Sequence, residues 1–302
     1  MSQTMANLLR PDNNPNPPLQ RSHVPFREHA FRIALQVSIL IALAFLASLL
    51  IYVTAKGWGR LDSRLWEAFP SIRRPETSGA RSAIFGTIWV VVLTAIYALP
   101  TGVLAAIYLE EYANPNRWYN RMIEINIQNL AAVPSIVYGI LGLGIISRGL
   151  GFGQTVMTAA LTLSLLVLPI VVIATREAIR AVPRSIREGG YALGSTQWQV
   201  VRTLVLPQAI PGIATGSILA LSRAIGEAAP LLLLGGLTFI TFNPTGVMSP
   251  FTVLPIQIFN WTSQSRDEFE VLASAACVIL LIILVAMNSL AIWIRNRSQR
   301  HQ

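Results

Sequence analysis

Two charges interrupt an otherwise apolar run: Arg223 and Glu227, in L-S-R-A-I-G-E-A-A-P-L-L-L-L-G-G. An ionisable side chain in such a run is costly and marks a functional site by default. On a continuous helix, their i, i+4 spacing sets both on one face. Arginine presents a planar fork of donors that matches an oxyanion bidentately, so the chemistry expected here is passage of a small anion. Glu227 then either holds Arg223 in place or keeps the anion's affinity low enough for release. A purely structural pair, each charge neutralising the other, is the competing reading. Arg176 and Glu177, in V-I-A-T-R-E-A-I-R, are a second candidate. Arg176 either meets the anion at the end of its route or anchors a membrane boundary.

Those charges need a scaffold, and composition says which kind. Of 302 residues, 53% are hydrophobic and only 12% charged, against about a quarter charged in a soluble domain. Six segments, near 31–54, 83–109, 125–147, 155–176, 208–236 and 269–294, are long enough to cross a hydrocarbon core, which takes about 20 helical residues. Alternating ten-residue strands are missing, so the segments read as helices rather than a barrel. The expected fold is an all-α membrane protein with six transmembrane helices over 30–295. Residues 1–29 are polar and Pro-rich, expected to be disordered, and 296–302 form a short tail. The first segment lacks the pattern of a cleaved signal peptide and is expected to stay in the mature protein. Pro100, Pro134, Pro169 and Pro211, with their neighbouring glycines, mark either close helix packing or irregular backbone along a pathway.

The net charge is +9, but the arginines flank apolar spans without interleaved aromatics, which favours membrane topology over nucleic acid. With the N-terminus inside, fourteen of the 23 Lys and Arg fall on the inner side and eight on the outer, with Arg223 within a span. That bias predicts both termini in the cytoplasm, and with them the polar loop 177–207. The single cysteine, Cys277, excludes an intrachain disulfide and a Cys-based metal site, and no catalytic or metal-ligating set is expected. The only lysine, Lys56, is followed by Gly57. The G-x-x-x-x-G-K-[ST] phosphate loop is therefore missing, and the chain cannot hydrolyse ATP itself.

Within the polar loop, Ser185 and Glu188 have the S-x-x-E spacing of a capping box. Gly194 is placed to end a short helix in the left-handed conformation, and Pro207 and Pro211 are expected to begin the next span. Such a helix over 184–196, with Tyr191, Ala192 and Leu193 exposed, needs a cover. Either a partner protein or the bilayer interface supplies it.

The spacing of Glu188, Gly194, Leu204, Leu206 and Pro207 resembles the "EAA loop" of ABC importer permeases, with Gly189-Gly190 where that family carries Ala-Ala. Three further stretches narrow the likeness: S-R-A-I-G-E at 222–227, P-S-I-V-Y-G at 134–139, and S-P-F-T-V-L-P-I-Q-I-F-N-W at 249–261. With T-R-E-A-I-R-x-V-P at the loop entry, they resemble the A-type permeases of phosphate-specific transport (Pst) systems over about residues 30–295. The resemblance implies a type I ABC importer permease fold in a bacterial inner membrane. Its implied partners are a homologous C-type permease, two cytoplasmic ATPase subunits and a periplasmic phosphate-binding protein. ATP and Mg would lie in the ATPase subunits, with no cofactor on this chain. By the same resemblance, Glu188, Gly189, Gly190, Tyr191, Ala192, Leu193 and Gly194 would dock the ATPase. Arg223, Glu227 and Arg176 would line the phosphate route. A molybdate or sulfate permease is the nearest alternative, because both oxyanions accept the same arginine. An ATP-independent secondary transporter would be expected to show an inverted repeat and more membrane carboxylates.

Overall fold

The computed structural model describes residues 26–114, 116–236 and 240–299. The expectation of a disordered tail therefore lies outside the described residues for 1–25, and helix begins at Phe26, inside the segment expected to be tail. Two units divide within the first helix, one up to Ile51 and one from Tyr52 onward. Among the described residues the structure is helical, with no strand beyond an isolated bridge between Thr155 and Pro250.

After α1 (Phe26–Gly57) comes a short folded segment. Asp62 accepts the Leu65 N–H at 3.3 Å and so starts α2 (Ser63–Glu67). Arg60 gathers the carbonyls of Pro75, Glu76 and Ser78. The basic 56–81 stretch is thus ordered by its own arginine. α3 (Arg81–Ile107) continues into a π-helical turn, Tyr108–Tyr112. α4 (Trp118–Ala132) and α5 (Ser135–Leu141) follow, α5 running on as a π-helix to Gly149. Next are α6 (Val156–Arg180), the short α7 (Arg184–Ala192) and α8 (Gln197–Val200). A π-helical turn, Val201–Val205, joins α8 to α9 (Leu206–Gly226). The chain closes with α10 (Ala229–Leu233), α11 (Leu254–Thr262) and α12 (Asp267–Gln299).

Among the described residues, five helices are long and apolar enough to cross a membrane, and six passes result if one bent pair counts as a span. That pair is the expected third span. Instead of one helix over 125–147, α4 and the α5 helix meet at 107°. Pro134 causes the break, because a residue before proline is driven to extended backbone. Val133 sits at φ −69°, ψ 130°.

The fifth span is also revised. A continuous helix over 208–236 would press the Pro230 ring on the Gly226 carbonyl four residues back. α9 stops at Gly226, and Glu227 is extended at φ −83°, ψ 109°. The span also starts earlier than Pro207, at Gln197. The π-helical turn at Val201–Val205 lies just ahead of Pro207, where a proline cannot donate to an ordinary helical ladder.

α6 packs between α3 and α9 at the centre of the bundle. The main core joins Val90 and Leu93 of α3, Leu163 and Val167 of α6, and Ala220 and Ala224 of α9. Small residues set the α6–α9 distance: a Cβ on Gly216 would lie 2.3 Å from Ala174 Cβ. For that pair, close packing through small residues accounts for the glycine.

Candidate functional site

Two charged regions stand out, and each is built by a helix end. The first surrounds α7. Pro183, at ψ 140°, launches the helix, and no side chain caps its start. The expected Ser185–Glu188 capping box is therefore not formed: Ser185 already lies inside the first turn, past the position from which a cap must reach. The box is found one helix later. Thr196 accepts the Gln199 N–H, and Gln199 Oε1 accepts the Thr196 N–H at 2.8 Å. T-Q-W-Q carries the same spacing signal, and the sequence reading passed over it.

The far end of α7 follows the expectation closely. Gly194 adopts φ +80°. Its N–H bonds Tyr191 O at 2.9 Å, and the Ser195 N–H bonds Gly190 O at 3.2 Å. These two bonds make a Schellman motif, whose left-handed position favours glycine. The Gly189-Gly190 pair divides between two faces. Gly190 is buried, where a Cβ would come within 2.9 Å of Leu204 and Val200 side-chain atoms, whereas Gly189 has open space around it. Glu188, Gly189, Tyr191, Ala192 and Leu193 form an exposed face, with Leu193 88% exposed. Behind it, Ile179, Val182, Val200, Val205 and Ala209 form a small core.

An ion-pair network that sequence reading did not assign lies beside that core. The Arg187 guanidinium donates twice to Glu111 Oε1, at 2.7 and 3.1 Å, and also to the carbonyls of Val182 and Ile179. Glu110, the preceding residue, accepts Arg176 Nε at 3.2 Å and Arg180 Nε at 2.8 Å. Arg176 reaches Glu124 of α4 with its Nη2 at 2.9 Å. Glu177 pairs with Arg180, at 3.4 Å. Glu110, Glu111, Arg180, Arg187, Glu188 and Tyr191 share the wall of a cavity of about 560 Å³. The available signal was the E-E pair closing an apolar helix, opposite a loop with four arginines.

The second region is the end of α9. Arg223 occupies its last turn and is exposed, and Glu227 follows the helix as its extended cap. The expectation that both share one helical face is corrected, because the helix ends between them. Among the described residues, neither enters an ion pair within 4.0 Å. Two of the sequence stretches singled out above meet here. A Cβ on Gly139 would lie 2.7 Å from the Pro230 backbone, so P-S-I-V-Y-G packs directly behind the S-R-A-I-G-E break. The Tyr138 hydroxyl donates to Leu130 O at 2.8 Å. Ser222 Oγ lies 2.7 Å from Asn288 Oδ1 and ties this end of α9 to α12. The S-P-F-T-V-L-P stretch is anchored to α3, with Leu254 N–H donating to Thr87 Oγ1 at 2.9 Å.

Comparison with known proteins bears on both regions. Residues 98–300 match the family described as binding-protein-dependent transport system inner membrane component. A phosphate transport system permease protein PstA of Mycobacterium leprae is 37% identical over 258 residues, covering 82% of each chain. PstA 1 of Mycobacterium tuberculosis H37Rv is 34% identical over 269 residues, covering 88% of this chain and 86% of that one. A probable ABC transporter permease of Bacillus subtilis, YqgI, is 35% identical over 228 residues, covering 72% and 77%. Among solved structures, a bacterial alginate ABC transporter superposes with TM-score 0.63 at 16% identity, covering 90% of this chain and 96% of its own. An inward-facing MetNI methionine transporter gives 0.59 at 16%, covering 72% and 94%. At such identity these two speak for the fold alone.

Proposed function

Since the chain belongs to the inner membrane component family of binding-protein-dependent transport systems, we propose that it is the permease subunit of an ATP-driven phosphate importer. The observation that carries this is its 34–37% identity to phosphate permeases over more than four-fifths of its length. The likeness takes in both charged regions.

In this reading the chain crosses the inner membrane with both termini in the cytoplasm, and α7 is the surface that docks an ATPase. The exposed Glu188, Gly189, Tyr191, Ala192 and Leu193 face outward, and the Gly194 motif fixes their orientation. A helix of nine residues is too short to hold its shape alone, and here a capped end and a small core hold it. ATP and Mg belong to the partner subunits, as the lack of a phosphate loop requires. A C-type permease completes the pathway, and a periplasmic phosphate-binding protein delivers the anion. Closure of the ATPase dimer moves the docked helices and opens the paired permeases outward. Opening inward follows hydrolysis.

Arg223 is the group that receives the anion within the membrane. Its donors are not committed to a carboxylate, so they are free for a phosphate oxygen pair. Glu227, beyond the helix end, is a nearby negative charge that shortens the anion's stay rather than a clamp on Arg223. Arg176 serves at the inner end, once it exchanges a carboxylate for the anion.

The test is labelled-phosphate uptake by vesicles carrying the assembled complex, wild type against Arg223→Gln, with ATPase retention checked in both. Collapse of uptake with assembly intact supports the reading. Unchanged uptake in the variant makes Arg223 structural. A wild type that moves sulfate or molybdate but no phosphate keeps the fold and overturns the substrate.

A further inference from the structure

We propose that Glu110 and Glu111, adjacent residues on the π-helical end of α3, are positioning residues that join the docking helix α7 to three membrane helices. This rests on the reading of α7 as the ATPase-docking surface.

α7 and the residues after it are both tied to Glu111. From within the helix, Arg187 binds the Glu111 carboxylate and the carbonyls of Ile179 and Val182, so it joins α6, the turn and α7 itself. After the helix, Gln197 donates to the Glu111 backbone carbonyl. The pair is well shielded: the Arg187 side chain is 17% exposed and that of Glu111 only 6%. A shielded charge pair resists separation, because each partner alone would be an uncompensated charge. α7 therefore cannot shift without dragging the end of α3.

One peptide bond away, Glu110 holds Arg176 and Arg180 of α6, one with each carboxylate oxygen. Arg176 in turn holds Glu124 of α4. The π-helical turn is what permits this division. Its i→i+5 bond, Ala113 N–H to Tyr108 O at 2.8 Å, adds a residue to the turn and re-aims the side chains that follow. Two consecutive carboxylates thereby serve different partners. Movement of α7 is passed to α3 through Glu111, and to α6 and α4 through Glu110. The same movement alters the counter-ions of Arg176, and so the charge it offers at the inner end of the route. This is a contiguous physical network, the kind of chain through which packed helices transmit displacement.

The experiment uses the assembled complex in vesicles, in a Cys277→Ser background. Spin labels at Ser185→Cys, an exposed position in the first turn of α7 outside the docking face, and Leu104→Cys, an exposed position on α3, report the α7–α3 distance without nucleotide and trapped with ATP and vanadate. In the otherwise wild-type chain the distance stays constant, since the two elements move as one. In Glu111→Gln and in Arg187→Met it changes on trapping. Phosphate moved per ATP hydrolysed falls roughly tenfold or more, as expected when one partner of a shielded pair is removed. Glu270→Gln, whose side chain is 47% exposed and pairs with Lys56 outside this network, leaves both readouts alone. To separate lost linkage from lost folding, Glu111→Cys/Arg187→Cys is compared with and without a rigid bis-maleimide bridge, and the bridge restores coupling. A constant distance and normal coupling in Glu111→Gln would overturn the proposal, as would a bridged double variant that stays uncoupled. If wild type moves no phosphate, the substrate reading fails, while the distance measurement still reports the link.

Discussion

At the α7 end of the bundle, Arg176, Arg180 and Arg187 each sit against a carboxylate, and Arg176 and Arg180 against two. At the end of α9, Arg223 and Glu227 are four residues apart in sequence and form no ion pair within 4.0 Å among the described residues. The chain could have paired Arg223 and Glu227 by continuing α9 for one more turn. Pro230 prevents it. The contrast separates two uses of charge. Paired charges behave as rivets, since separating them is costly. A guanidinium without a carboxylate keeps its donors for something that arrives later.

Four measurements would break or sharpen that contrast. The largest effect belongs to the riveted end. Arg187→Met strands Glu111 and is expected to destabilise the protein by about 3–5 kcal/mol, read as a lowered unfolding midpoint in detergent. A loss below 1 kcal/mol would mean that the pair is not a rivet. At the open end, Arg223→Gln should leave that midpoint nearly unchanged. Uptake should instead fall by roughly 10–100-fold, because a charge-assisted contact contributes about 1.5–3 kcal/mol.

Gly194→Ala tests the geometry of α7 itself. A Cβ at φ +80° costs about 1–2 kcal/mol, which should appear as faster hydrogen exchange over 184–196 and weaker co-purification of the ATPase. Thr196→Ala removes the capping box that starts the next helix. About 1 kcal/mol is expected, visible in the same exchange experiment but confined to residues after 196. Equal loss of protection on both sides would show that α7 and α8 open as one unit.

Much of this protein was legible in its sequence. Hydrocarbon thickness fixes how long an apolar helix must be, so candidate spans could be counted from composition alone. Gly194 could be placed as a helix terminator because few other residues tolerate its backbone angle. Ser185 misled for a local reason: its spacing to Glu188 suits a cap, but Pro183 takes the cap position and starts the helix two residues too early. Thr196 and Gln199 had the same spacing, and nothing local ranked one box above the other.

The breaks were also written in the sequence, at Pro134 and Pro230, yet a proline says only that a helix is disturbed. Whether the result is a kink inside a continuous helix, as at Pro100 and Pro169, or a 107° turn depends on what receives the freed backbone and side chains. Partner choice lay wholly outside the sequence. Glu110 and Glu111 are 66 and 76 residues from Arg176 and Arg187, and only the packing of α3 against α6 brings them together. Sequence alone determined the membrane class and the chemical character of each charge, because these follow from local composition against the fixed thickness of lipid. Tertiary structure decided which charges are neutralised and which stay open, because electrostatic pairing depends on distance in space and not along the chain.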